Sequence, residues 1–283
     1  MNIGIVGLGL IGGSFGRTVV KTGKHTVYGF DVSEEVMLKG EMMRAYNKTL
    51  SPNNAKELDM LIIATRPEVF DEVVNNYLPQ LKDGATVTDF CGTKRDIVAL
   101  MEKYAAKYPS LNFVGGHPMA DRELSGIEHS KANLFDKASM ILVPVKTDIF
   151  VLEGIKAFYL SLGFSEVVIT DAENHDSMIA FTSQLCHIVS NAFIKNKTAK
   201  KHFGYSAGSY KDLTRVARLD ANMWTGLMML NKDKLIPELS ELIENLNSYK
   251  LALEKADEQG LKKLLSDGNE RKIKIDIINS KKE

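Results

Sequence analysis

The chain has 283 residues, 44% hydrophobic and 25% charged, which suits a globular protein of two domains or one large one. Lys plus Arg and Asp plus Glu balance at 36 each, so net charge steers the chain toward neither nucleic acid nor an anionic membrane. Cys91 and Cys186 are too few for a disulfide framework and lack metal-site spacing, which points to reduced thiols in a cytoplasmic protein without a metal.

The apolar opening has no basic leader and no cleavage-type tail, so no signal peptide is expected. No apolar run approaches the roughly 18 residues that span a bilayer. Residues 2–6 form a short apolar run, 13–22 read as a helix and 26–30 as a second strand. Residues 60–64 show little alternation, as a strand buried on both faces does. A helix over 68–81, a strand over 86–89, a helix over 94–108 and strands over 112–115 and 139–144 follow. A helix over 149–162 and a strand over 166–169 complete a rhythm that predicts an α/β fold with a doubly wound parallel sheet.

The character changes near residue 170. Residues 171–195 hold no glycine or proline and read as one long helix with Asp171 as its cap. A glycine- and serine-containing stretch at 204–209 leads to a Leu-, Glu- and Lys-rich helix over 234–264, then to a charged, frayed end. The expected layout is a dinucleotide-binding domain over 1–170 and an all-α helical domain over 171–283. The helical half has more apolar face than a small domain buries, so a homodimer through it is expected.

The strongest local signal is Gly7-Leu8-Gly9-Leu10-Ile11-Gly12, which follows a strand and opens a helix. In a Rossmann fold Gly7 serves the tight turn, Gly9 lets the backbone approach a pyrophosphate and Gly12 lets helix pack on strand. The amides of Leu10 and Ile11 then belong to a helix N-terminus that faces phosphate. Asp31 ends the second strand about 20 residues on, where an acid binds the ribose 2′-hydroxyl and repels a 2′-phosphate. This favours NAD over NADP, although Ser33 and Lys39 nearby leave NADP open. Thr65 and Arg66 follow the third long strand and are expected to border the cofactor. A simple turn is the alternative for Arg66.

Two further strand ends are polar: Asp89-Phe90-Cys91-Gly92-Thr93-Lys94 and Gly115-Gly116-His117-Pro118-Met119-Ala120. His117 titrates near neutrality and sits in a tight turn that presents its side chain, which makes it a candidate acid/base. With Glu123 and Gly126, then His175-Asp176, then Lys211-Asp212-Leu213-Thr214-Arg215 and Met223-Trp224, the chain resembles the prephenate/arogenate dehydrogenase family of tyrosine biosynthesis. The resemblance runs from Gly7 to about Asp233.

That resemblance implies a reaction in which hydride leaves the ring carbinol carbon for NAD, the ring carboxylate departs as carbon dioxide and the ring becomes aromatic. It places the base at His117, with Thr93 donating to the substrate hydroxyl or orienting His117. It implies Arg215 as the carboxylate-binding cation, whose planar fork suits that group. Lys211, one helical turn earlier, is expected to share this work, and the resemblance implies that Glu123 and Asp212 help hold the arginine. The alternative for Lys211, Arg215 and Arg218 is a solvated helix face. Trp224, the single tryptophan, is implied near the site, with a core aromatic as the alternative. His187 is implied as a substrate contact. Gln184 stands where the family shows histidine, which leaves the substrate side chain, prephenate's keto or arogenate's amino group, undecided. His175 is read equally as a helix-start residue and a site residue.

Two rivals remain open. β-Hydroxyacid dehydrogenases share the layout but use a lysine followed by asparagine on a helix, whereas here Asn191 precedes Lys195. An NAD-sensing regulatory protein would keep the glycine loop without needing His117, Thr93 and Arg215 together.

Overall fold

The computed structural model describes residues 1–120 and 124–280. Eight strands, β1 (Asn2–Val6), β2 (Thr26–Phe30), β3 (Lys48–Thr49), β4 (Met60–Ile63), β5 (Thr86–Asp89), β6 (Asn112–Pro118), β7 (Ser139–Val145) and β8 (Glu166–Ile169), form one sheet. Their order is β3-β2-β1-β4-β5-β6-β7-β8. The chain works outward from β1 in one direction and then restarts at β4 in the other. That reversal opens a crevice beyond the C-terminal ends of β1 and β4.

Alternation along each strand divides the core. Ile3, Ile5 and Ile62 meet Phe15, Phe158 and Tyr159 on one face. Val6, Leu61, Ile63 and Val87 meet Phe70, Val74, Ile97 and Met101 on the other. Helices α1 (Leu10–Thr22) and α5 (Ile149–Ser161) cover the first face, and α3 (Phe70–Tyr77) and α4 (Arg95–Lys107) the second.

The sheet departs from the all-parallel expectation at one pair. β6 and β7 run antiparallel, with Gly115 opposite Val143 and His117 opposite Ile141. The described part of the connection between them contains no α-helix to carry the chain across the sheet, so it turns back beside the strand it left. Helix α2 (Glu34–Met42) carries no strong apolar period and was not expected; Ser33 caps it, accepting from the Val36 amide at 3.4 Å.

The long helix expected after residue 170 forms with one irregularity. Asp171 caps α6 (Ala172–Ile179), accepting from Asn174 N at 2.7 Å. A π-helical stretch, Ala180–Leu185, then leads into α7 (Cys186–Phe193). Two shorter helices follow, α8 (Gly208–Thr214) and α9 (Ala221–Leu230).

The chain divides into two compact units, Met1–Asn231 and Lys232–Glu283. In the second, α10 (Lys232–Glu254) and α11 (Glu258–Ser280) replace the single helix expected over 234–264. Ala256 takes a left-handed φ of 51°, and the Asp257 carboxylate accepts from Gly260 N at 2.9 Å. A fresh N-terminus is thus created inside the Leu/Lys pattern. As far as Ser280 the charged tail continues as helix, with Arg271–Asp267 and Lys272–Asp276 paired one turn apart; the last three residues lie outside the described ones. Among the described residues, no helix is long and apolar enough to cross a membrane.

Candidate active site

The turn after β1 is built by its glycines. Gly7 has φ +92°, and a Cβ there would meet Ala64 O at 2.6 Å. A Cβ on Gly12 would come within 1.9 Å of Gly7 O, so helix α1 can sit against the loop only without a side chain. Gly9 differs: a Cβ there would meet nothing within 4 Å. Its bareness relieves no crowding inside the protein; it leaves space for something outside it. No side chain caps α1, and Gly9, Leu10 and Ile11 border a cavity. An open backbone and an uncapped helix N-terminus fit a pyrophosphate. Asp31 accepts from Leu8 N at 2.9 Å and from Ser33 N at 3.0 Å, so it braces the loop from the end of β2.

The cavity measures about 320 Å³. Its floor comes from strand ends: the glycine loop after β1, Thr65 and Arg66 after β4, and Phe90, Cys91 and Gly92 after β5. Its opposite wall comes from the helical region, with His187, Arg215, Arg218, Asp220 and Trp224. Residues far apart in sequence thus share one space, ringed by the guanidinium-bearing Arg66, Arg215 and Arg218.

The helical wall is ordered by its own contacts. His187 donates from Nδ1 to Ser183 O at 2.9 Å, which orients its ring. Its ring lies 3.7 Å, centroid to centroid, from Trp224. Trp224 is buried in α9, and Asp220 caps that helix by accepting from Asn222 N and Met223 N. Asn191 donates to Ala217 O at 3.1 Å and so ties the turn bearing Arg215 to α7.

Beside the cavity lies a buried polar cluster. His117, half-buried on β6, has its Nδ1 2.9 Å from His175 Nε2. His175 Nδ1 stands 2.7 Å from Asp176 Oδ1. Asp176 also accepts from Lys94 N at 2.7 Å and from Arg95 N and Nε, each at 3.1 Å. Asp89 and Lys94 form an ion pair in which both side chains are fully buried. Asp89 further accepts from Cys91 N at 2.8 Å and Gly116 N at 3.0 Å, locking the end of β5 to β6.

These surroundings set the charge states. Burial first, then the charges of His175 and Lys94, hold His117 well below the ordinary imidazole range, against the pull of Asp176. Burial also lowers His175 against its bond to Asp176. Burial opposes the charge on Asp176, but the hydrogen bonds from His175, Arg95 and Lys94 outweigh it and keep the carboxyl low. Burial pushes the Cys91 thiol well up, so it is a packing group and no nucleophile.

Not every expected residue reaches the cavity. Gly7, Gly12 and Asp31 shape the loop from behind it. His117 lies one strand beyond the β5 end that forms the floor, and buried Thr93 sits in the turn before α4. Gln184 is buried in the π-helical stretch, donating to Leu227 O at 3.1 Å and accepting from Asn231 at 2.9 Å. Lys211 and Asp212 are exposed on α8, which stops at Thr214; Arg215 starts a separate 3₁₀ turn, so the continuous helical face is broken. Glu123 lies outside the described residues. Asp89, Asp176 and Asn231 are the structuring residues that sequence reasoning left without a role; only the Asp89…Lys94 and His175-Asp176 motifs hinted at two of them.

Comparison with known proteins matches residues 15–168 to the family described as prephenate dehydrogenase, nucleotide-binding domain, and residues 171–267 to prephenate dehydrogenase, dimerization domain. A prephenate dehydrogenase of Lactococcus lactis is 28% identical over 281 residues, covering 96% of this chain and 77% of that protein. A cyclohexadienyl dehydrogenase of Zymomonas mobilis is 26% identical, covering 90% and 89%. The crystal structure of a prephenate dehydrogenase from Aquifex aeolicus, in complex with hydroxyphenyl propionate and NAD+, superposes with a TM-score of 0.82 at 29% identity, covering 97% of this chain and 98% of that one.

Proposed function

The chain belongs to the prephenate dehydrogenase family, and from that premise we propose that it is an NAD-dependent prephenate dehydrogenase of tyrosine biosynthesis, converting prephenate to 4-hydroxyphenylpyruvate and carbon dioxide. The observation that carries this reading is the single cavity shared by the glycine loop and by His187, Arg215 and Trp224. A small ring compound held by the helical wall there faces whatever the loop binds. The relatives' names cover both prephenate and cyclohexadienyl substrates, so arogenate is the alternative substrate.

NAD, when bound on the glycine loop, supplies the hydride acceptor. Gly9, Leu10 and Ile11 take its phosphates, Asp31 its ribose, and Thr65 and Arg66 border it. The protein's own residues do the rest. Arg215 binds a carboxylate of the dianion, with Arg218 and Arg66 adding positive potential around the cavity. His187 and Trp224 form a flat wall against the ring. His117 takes the proton of the ring hydroxyl as the carbinol carbon gives up hydride. Loss of carbon dioxide then returns an electron pair to the ring, and the same proton goes back to the phenolic oxygen. A histidine held neutral by its surroundings is suited to accept it. Aromatisation drives the step, so orientation and exclusion of water are the protein's main tasks.

Residues 1–170 serve as the nucleotide-binding part and 171–283 as the helical part, close to the two family matches. The helical part is proposed to form the homodimer. Phe203 and Tyr205 are 95% and 91% exposed, apolar surface that a second copy would cover. Both cysteines are free, as a reducing cytoplasm would leave them.

Steady-state assays that follow reduced cofactor test the reading. Prephenate with NAD is expected to turn over, and arogenate to be the poorer substrate. Absence of turnover with both compounds would overturn the assignment. His117→Asn is expected to lose roughly 100- to 10,000-fold in kcat while keeping cofactor affinity.

A further inference from the structure

Asp176 is the fixed point of the cluster behind His117. Three N–H groups, Lys94 N, Arg95 N and Arg95 Nε, donate to its two oxygens. An ionised carboxylate only accepts, so the proton between it and His175 sits on His175 Nδ1. A neutral His175 with Nδ1 protonated has its lone pair on Nε2. Among the described residues the partner of that lone pair is His117 Nδ1, at 2.9 Å, which must then carry a hydrogen. It follows that the lone pair of neutral His117 is on Nε2, the nitrogen left for a substrate. The tautomer of one ring is thereby dictated by a carboxylate two groups away.

We propose that His175 and Asp176 are positioning residues that fix His117 in its Nδ1–H tautomer and support it as the imidazolium formed during turnover. This rests on the reading of His117 as the base. When a substrate O–H bond breaks and an N–H bond forms at His117 Nε2, the new cation keeps donating from Nδ1 to His175 Nε2. That bond is stronger to a charged donor than to a neutral one. His175 in turn leans on Asp176, so the positive charge faces a carboxylate through one intervening ring. Among the described residues, the charged and titratable groups around this chain include Lys94 and Asp89 on the β5–α4 turn, Arg95 on α4, and Glu173, His175 and Asp176 on α6, with Glu173 3.8 Å from Arg95 Nε. Lys94, although paired with Asp89, still disfavours a charged His117, and Arg95 is turned onto Asp176, so the Asp176 carboxylate is the group that favours the charged ring.

The first test reads the tautomer directly. The protein labelled with nitrogen-15 in its six histidines is studied by NMR near neutral pH, with His117→Asn and His175→Gln used to assign the two rings. Both His117 and His175 are expected as Nδ1–H tautomers. An Nε2–H tautomer at His117 would overturn the proposal whatever the variants do.

The second test reads kcat against pH with prephenate and NAD. His175→Leu, which offers no acceptor, is expected to lose on the order of 10- to 100-fold in kcat, short of the loss from removing the base itself. His175→Gln, whose amide oxygen can accept from His117, should recover part of that loss. A residue that merely fills space would favour Leu over Gln. NAD affinity, read from quenching of Trp224, should stay within about threefold of wild type in both, since binding of the cofactor does not use the relay. In Asp176→Asn the carboxylate that raises the His117 pKa is gone, so the acid-side fall in kcat should move to lower pH. Wild-type kcat and pH profile in both His175 variants, with activity lost in His117→Asn, would sink the relay and leave the base standing. Wild-type kcat in His117→Asn would sink the base reading itself.

Discussion

Replacing Lys94 by methionine takes the cation out of a pair whose two side chains are both fully buried. Asp89 is left charged in the interior, where removing one partner of a buried pair typically costs about 3–5 kcal/mol. The amides of Cys91 and Gly116 still donate to Asp89, which argues for the lower end. With a urea slope near ~3 kcal/mol per molar, the midpoint should fall by roughly 1 M. The variant has a second, separable effect. His117 is held low by burial, then by the charge on His175, then by Lys94. Removing Lys94 raises its pKa, so the fall of kcat on the acid side should move to higher pH. Urea denaturation and a kcat profile measure the two effects independently. The double variant with Asp89→Asn no longer buries a lone charge and should regain part of the stability. A loss of stability below about 1 kcal/mol would refute the claim that this pair is an interior ion pair at all. An acid limb that stayed put or moved down would refute the electrostatic account of His117.

Three further outcomes are expected. Gly9→Ala should keep the wild-type melting temperature, because its Cβ meets nothing within 4 Å, yet weaken NAD in a fluorescence titration; Gly12→Ala, which drives a Cβ to 1.9 Å from Gly7 O, should lower both. Arg215→Ala should raise KM for prephenate by roughly 10- to 100-fold, the value of a charge-assisted bond to carboxylate, with a smaller change in kcat. An unchanged KM would move the carboxylate elsewhere, with Arg218 the next residue to test. Asp31→Ser should shift the ratio of kcat/KM toward NADP, since it removes the charge facing a 2′-phosphate. No shift would mean that Asp31 serves only to brace Leu8 and Ser33.

Much of the fold can be read from local pattern. The strand runs at 2–6, 26–30, 86–89 and 166–169 form where periodicity puts them, because an apolar segment between turn signals has few ways to bury itself. The glycine loop is legible for the same reason: Gly7 and Gly12 answer local steric demands, while Gly9 leaves open space beside the helix start. Failures fall where local signals compete. The Leu/Lys pattern at 234–264 reads as one helix, but Ala256 and Asp257 start another inside it. The run at 211–218 has helical spacing, yet α8 ends before Arg215 and the turn beyond is tied to Asn191, a residue from a different helix.

By itself, the sequence determined the α/β class and the family, and it singled out the glycine loop, His117, His187, Arg215 and Trp224 as candidates, because each is marked by residues close by in the chain. Only the tertiary structure decided which of them share a cavity, that Gln184 is spent on Leu227 and Asn231, and that His117 is backed by His175 and Asp176. The reason is range. A turn or a strand is dictated by neighbours a few residues away, whereas a hydrogen bond between residues 58 positions apart exists only once the sheet and the helices have packed.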